Sequence, residues 1–159
     1  MNVAGPAYDE EAVDLGEITG SLGFLLRMAQ LKAFDFFFRT LDGENLRPGE
    51  FTVLWVINLN PGLRQGTFAR RLKIKPAHMT KLVARMVDQG LVHREIPQDD
   101  RRSVRLSLTE GGSAFVARYR EKFLHLHLAE RSDLTVEESA TLIHLLKRYA
   151  GIDGDGPCL

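Results

Sequence analysis

Eleven of the 21 lysine and arginine side chains fall between Arg64 and Arg105, against four of the 21 acidic ones, so 42 residues carry a net charge of +7. A local field of that strength attracts a polyanion. Residues 1–63 carry −5 and residues 106–159 carry −2, which leaves the 159-residue chain formally neutral and its acidic flanks keep it soluble. Inside the basic segment, Met79, Leu82, Val83, Met86 and Val87 form one apolar helical stripe. His78, Thr80, Lys81, Ala84 and Arg85 fall on the faces away from it, a polar surface able to meet a partner. Covalent chemistry has no such support. There is no Gly-rich phosphate loop, no His-Glu-x-x-His and no Gly-x-Ser-x-Gly. His125 and His127 are two residues apart, about 200° around a helix, and make poor joint metal ligands. The single cysteine, Cys158, allows neither an intramolecular disulfide nor a Cys-based zinc site. No catalytic residue, metal site or cofactor is expected.

These side chains need elements to position them. A length of 159 residues allows one compact domain or two very small ones, and 44% hydrophobic with 26% charged residues is the composition of a folded chain with a real core. Apolar runs such as Val53 to Ile57 are too short to span a membrane, and Met1 to Glu11 is acidic rather than signal-like, so a cytoplasmic protein is expected. Spacings of three and four from Ile18 to Phe37 predict a long helix over Glu17 to Leu41. A second helix runs from Pro48 to Leu59, stopped by Asn60-Pro61-Gly62, and a third from about Arg64 to Leu72. Pro76 opens the fourth, Ala77 to Gln89, which Gly90 ends. Leu91 to Ile96 and Val104 to Leu108 read as strands around the charged tip Pro97 to Ser103. Thr109 caps a helix reaching about Arg131, and Thr135 with Glu138 forms a capping box for a last helix to about Ala150.

Short helices, a turn, a helix with a polar outer face and a basic-tipped hairpin follow the order of a winged helix-turn-helix. A major groove about 12 Å wide admits one helix, and a basic hairpin can lie along the backbone or enter the minor groove. The run Asp100-Arg101-Arg102-Ser103-Val104-Arg105-Leu106-Ser107-Leu108-Thr109-Glu110-Gly111-Gly112 resembles the wing signature of the MarR (multiple antibiotic resistance regulator) family. Phe68 to Leu72, Thr80 to Val83 and Gly90 to Val92 support the resemblance. It implies a mainly α fold with a small β-hairpin wing, a winged helix-turn-helix plus a helical dimerisation region. The implied divisions are an arm 1–16, dimerisation segments 17–46 and 109–150, a DNA-binding domain 47–108 and a tail 151–159.

The resemblance further implies that Arg102 enters the minor groove while Asp100 holds the wing in shape. Asp99 with Arg101 is the neighbouring alternative; Arg102 stands seven residues before Thr109, as the family spacing requires. Lys75, Ala77, His78, Thr80, Lys81 and Arg85 match positions that touch bases or phosphates, with Arg70 and Arg71 as phosphate candidates. Lys75-Pro76 departs from the Ser or Thr cap usual there. The implied partners are double-stranded DNA, a second copy in a homodimer, and a small ligand that releases the DNA. Arg27, Phe34, Phe38, Phe51 and Trp55 are its candidate lining, although aromatics at helical spacing are more often core. Leu22 to Gln30 with Phe36-Phe37-Phe38 resembles, more weakly, a subgroup responding to hydroxycinnamoyl-CoA thioesters; free aromatic acids fit nearly as well. Two rivals share the fold: a metal-responsive regulator using His125 or His144, and a protein–protein adaptor that reads no DNA.

Overall fold

The structure, a computed structural model, describes residues 13–40, 46–98, 103–125 and 134–152. The first apolar stretch forms two elements instead of the single helix expected. A 3-10 turn, Gly16–Gly20, is followed by helix α1, Leu22–Thr40. Ser21 between them is extended, and its carbonyl accepts the Leu25 N–H at 2.9 Å, so it serves as the cap from which α1 starts. Helix α2 is Pro48–Leu59, and Asn60-Pro61-Gly62 turns the chain out of it, with Gly62 at φ 77°.

The third helix, expected from about Arg64, starts one residue later. In the structure Leu63–Arg64 is a short strand, β1, and helix α3 is Gln65–Arg71. The strand exists because β3, Arg105–Leu108, offers it a free edge: Leu63 pairs with Leu106 and Arg64 with Arg105. On the other side of β3 runs β2, Val92–Glu95, giving a three-stranded antiparallel sheet in the order β1-β3-β2.

Helix α4, Pro76–Asp88, follows α3 through a tight turn. Ile74 N–H donates to Ala69 O at 2.9 Å and Lys73 N–H to Arg70 O at 3.3 Å, the bond pair of a Schellman motif. Lys73 occupies its left-handed position at φ 55°, where glycine is usual. Lys73→Gly is therefore expected to raise stability by about 0.5 kcal/mol, because the left-handed strain of about 1–2 kcal/mol exceeds glycine's entropy cost of about 0.5–1 kcal/mol. Thermal denaturation checks this, and an unchanged midpoint would mean that the turn is unstrained.

Helix α5, Glu110–Leu124, is capped by the Thr109 hydroxyl, which accepts the Gly112 N–H at 3.0 Å. It was expected to continue to Arg131; the described helix stops at Leu124, where His125 N–H donates back to Glu121 O at 3.0 Å, and residues 126–133 lie outside the described ones. Helix α6, Val136–Ala150, opens on the capping box expected of Thr135 and Glu138. The Thr135 backbone N–H, and after it the hydroxyl, hold the Glu138 carboxyl below its ordinary pKa, so this cap weakens as pH falls through the carboxylate range.

Side chains from α2, α3, α4, β3 and α5 make one core, with Phe51, Leu54, Phe68, Met79, Met86, Leu106 and Val116 among its fully buried members. Helix α6 contributes little to it; Ser139 is its buried residue, while Leu142, Leu145 and Tyr149 stand exposed.

Candidate nucleic-acid interface

The stripe Met79, Leu82, Val83 and Met86 buries one face of α4 in the core, which turns Ala77, His78, Thr80, Lys81 and Ala84 outward. Lys75 caps the helix with its backbone alone, its carbonyl accepting the His78 and Met79 N–H groups at 2.9 Å. The missing Ser or Thr cap therefore leaves the helix start intact, with the Lys75 side chain exposed beside it. The Thr80 hydroxyl donates to Pro76 O at 3.0 Å and accepts from Gln65 Nε2 at 3.1 Å. That links the first residue of α3 to the first turns of α4 and fixes their spacing.

Arg70 and Arg71 are exposed at the end of α3. Two hollows flank α3 on this side. One of about 440 Å³ is lined by Arg64, Gln65, Gly66, Thr67, Arg70, Ser103 and Val104. The other, about 260 Å³, is lined by Thr67, Arg70, Arg71 and Lys73. Arg64, Gln65, Thr67 and Lys73 were not singled out in the sequence. Their charge and polarity were visible, but their convergence depends on β1 joining the sheet and on the left-handed turn at Lys73. Hollows lined by guanidinium, ammonium, hydroxyl and amide groups suit phosphate oxygens.

Arg85 is placed differently from its neighbours. Its side chain is 29% exposed and its Nε lies 3.4 Å from Oε1 of Glu50, on α2. Asp100, Arg101 and Arg102, with the alternative Asp99, lie outside the described residues. The strands that carry this tip are present, and β3 is anchored at its centre by the wholly buried Leu106.

Of the residues offered for a small ligand, Phe34 lines a hollow of about 320 Å³ with Gln30, Ala33, Phe37, Gly49, Thr52 and Phe123, from α1, α2 and α5. Phe51 has no accessible surface. Its ring is enclosed by those of Phe37, Trp55, Phe115 and Phe123 at 6.3, 5.8, 6.3 and 4.7 Å between centroids, so it backs the hollow and does not face it. Trp55 is half-buried with the Arg120 guanidinium 5.9 Å from its ring. Arg27 and Phe38 are exposed on α1. Among the described residues, no three His, Cys, Asp or Glu side chains gather as metal ligands would, and no helix is long and apolar enough to cross a membrane. His127 and Cys158 lie outside the described residues.

A three-stranded sheet beside two tightly linked helices, the second with a polar outer face, defines a winged helix-turn-helix protein. The MarR family model matches residues 46–104. The chain is 34% identical, over 89% of its length and 86% of the other, to a Thauera aromatica protein assigned to transcriptional regulation of the hcr operon. It is 26% identical to the homoprotocatechuate degradative operon repressor of Escherichia coli, over 83% of this chain and 89% of that one. Among solved structures, the transcriptional repressor CouR bound to a 23-mer DNA duplex superimposes with a TM-score of 0.75 at 30% identity, covering 88% of this chain and 97% of that one. The chain belongs to the MarR family of DNA-binding transcriptional regulators.

Proposed function

We propose that the protein is a repressor that binds a pseudo-palindromic operator as a homodimer and is released by an aromatic acid or its CoA thioester, of the p-coumaroyl-CoA type. The observation that carries the DNA half of this reading is the outward polar face of α4 together with the two cation-lined hollows beside α3, the helix that the Gln65 to Thr80 hydrogen bond ties to it. His78, Thr80 and Lys81 would meet base edges or phosphates, Arg64, Arg70, Arg71 and Lys73 the backbone, and Arg102 the minor groove with Asp100 shaping the wing. The regulated process is drawn from the relatives, one named as a repressor of an aromatic degradative operon. The hollow that Phe34 lines is mainly apolar, with the Gln30 amide and Thr52 as its polar members, and suits an aromatic ring. Coenzyme A would bring several negative charges toward a chain whose cations are concentrated in the DNA-binding domain.

The test is fluorescence anisotropy of labelled duplex from upstream of the protein's own gene, titrated at two salt concentrations and repeated with p-coumaroyl-CoA and with free p-coumarate. If several cations neutralise phosphates, affinity falls by about a thousandfold between about 50 and 200 mM salt. Release by the thioester alone selects the CoA class, and release by the free acid selects aromatic acids. Binding that ignores both discards that ligand class, and no binding at low salt to any duplex selected from a random library leaves the adaptor.

A further inference from the structure

Glu50, in the first turn of α2, is wholly buried. Its Oε2 accepts the Arg47 N–H at 2.9 Å and so closes the start of α2. Its Oε1 is also buried and accepts no hydrogen bond among the described residues; the charge that meets it is Arg85 Nε at 3.4 Å. Burying a carboxylate is costly unless a cation answers it. Capping alone would be served by a neutral glutamine. The acidic group at this position therefore has its use in the second oxygen, the one aimed at α4. Arg85 sits in the last turn of α4, seven residues beyond His78, where the Gln65 to Thr80 link near the helix start no longer constrains it.

We propose that Glu50 is a positioning residue for DNA reading: by pairing with Arg85 it fixes the far end of α4 to the first turn of α2, and Arg85 acts as the anchor of the reading helix and not as a phosphate contact. A carboxylate has two acceptor oxygens and can cap α2 and face Arg85 together. Glutamine has one, so Glu50→Gln keeps the volume and must give up one of the two roles.

The test compares Glu50→Gln, Arg85→Gln, the double variant and Arg85→Lys in the full chain. In the free protein, Glu50→Gln and Arg85→Gln are expected to speed backbone amide hydrogen exchange in the second half of α4 by about tenfold while α5 is unchanged. On a duplex selected from a random library by the unaltered protein, each single variant binds about tenfold more weakly, the double variant no more weakly than either, and Arg85→Lys retains most of the affinity. The dependence of log affinity on log salt keeps its slope in both single variants, because no phosphate contact is removed.

Unchanged exchange in α4 would overturn the proposal. So would single effects that multiply in the double variant, or a salt slope that falls by about one unit in Arg85→Gln alone, since that is the mark of a phosphate contact. The affinity measurements rest on the DNA-binding reading, whereas exchange does not: a protein that selects no duplex defeats that reading and leaves exchange to decide the anchor. If Glu50→Gln does not fold, Arg85→Lys against Arg85→Gln makes the same comparison from the other side of the pair.

Discussion

Gly112→Ala is expected to lower stability by about 3 kcal/mol, whereas Gly111→Ala, one residue earlier, leaves it unchanged or raises it by about 0.5–1 kcal/mol. A Cβ on Gly112 would stand 2.0 Å from the Leu91 carbonyl oxygen and 2.9 Å from its carbon. Both are backbone atoms and cannot rotate aside. The Leu91 oxygen also accepts the Thr109 N–H at 3.1 Å, and the Thr109 hydroxyl donates to Gly90 O at 2.6 Å, so moving the carbonyl away breaks the junction that ties the end of α4 to the start of α5. A Cβ on Gly111 meets its nearest atoms at 3.7 and 3.8 Å, ordinary contact distances, and the helix gains from losing a glycine. Urea denaturation followed by far-UV circular dichroism separates the two. Equal stabilities would show that the α4–α5 junction tolerates a side chain. Because Gly90 and Leu91 lead directly from α4 into β2, any folded fraction of Gly112→Ala should also present α4 wrongly to DNA and lose operator affinity.

That junction shows which parts of the chain can be read from residues alone. The Leu-Thr-x-x-Gly pattern marks the helix start, and Thr109, Thr135 and Glu138 cap as their local chemistry dictates, because a cap needs only its own next three residues. The stripe on α4 is equally local, since helical period alone sorts Met79 from His78. Features made by distant chain segments are a different matter. Two residues cannot show strand alternation, so β1 is invisible until β3 pairs with it, and spacing alone places Arg64 at a helix start and not beside a hollow. Glu50 reads as an ordinary first-turn acid; its burial and its pairing exist only once α4 folds over α2. Aromatic spacing on α1 and α2 could not separate Phe34, which faces a hollow, from Phe51, which is enclosed by other rings.

If the protein acts as the proposed homodimer, Leu145→Lys is expected to convert it to a monomer and to weaken operator binding by at least about 100-fold. In the single chain, Leu142, Leu145 and Tyr149 on α6 are 44%, 51% and 66% exposed, and Leu22, Leu25 and Met28 on α1 are 51%, 48% and 46% exposed. Each of these helices leaves an open apolar face on a monomer, and α6 buries almost nothing of its own. In the proposed homodimer a second copy would offer the same face, the self-complementary cover that two-fold symmetry provides. A lysine at an exposed position costs the isolated chain little, but in a two-fold interface it meets its own charge or a desolvated apolar surface. Losing the partner removes one of two reading helices and half of the cations, so the slope of log affinity against log salt should fall by about half together with the affinity. Sedimentation velocity and anisotropy on the same sample decide it, with circular dichroism confirming that the chain remains folded. An unchanged sedimentation coefficient would sink this face as the dimer contact. A monomer that kept full operator affinity would instead leave the dimer real and show that one reading helix is enough for binding.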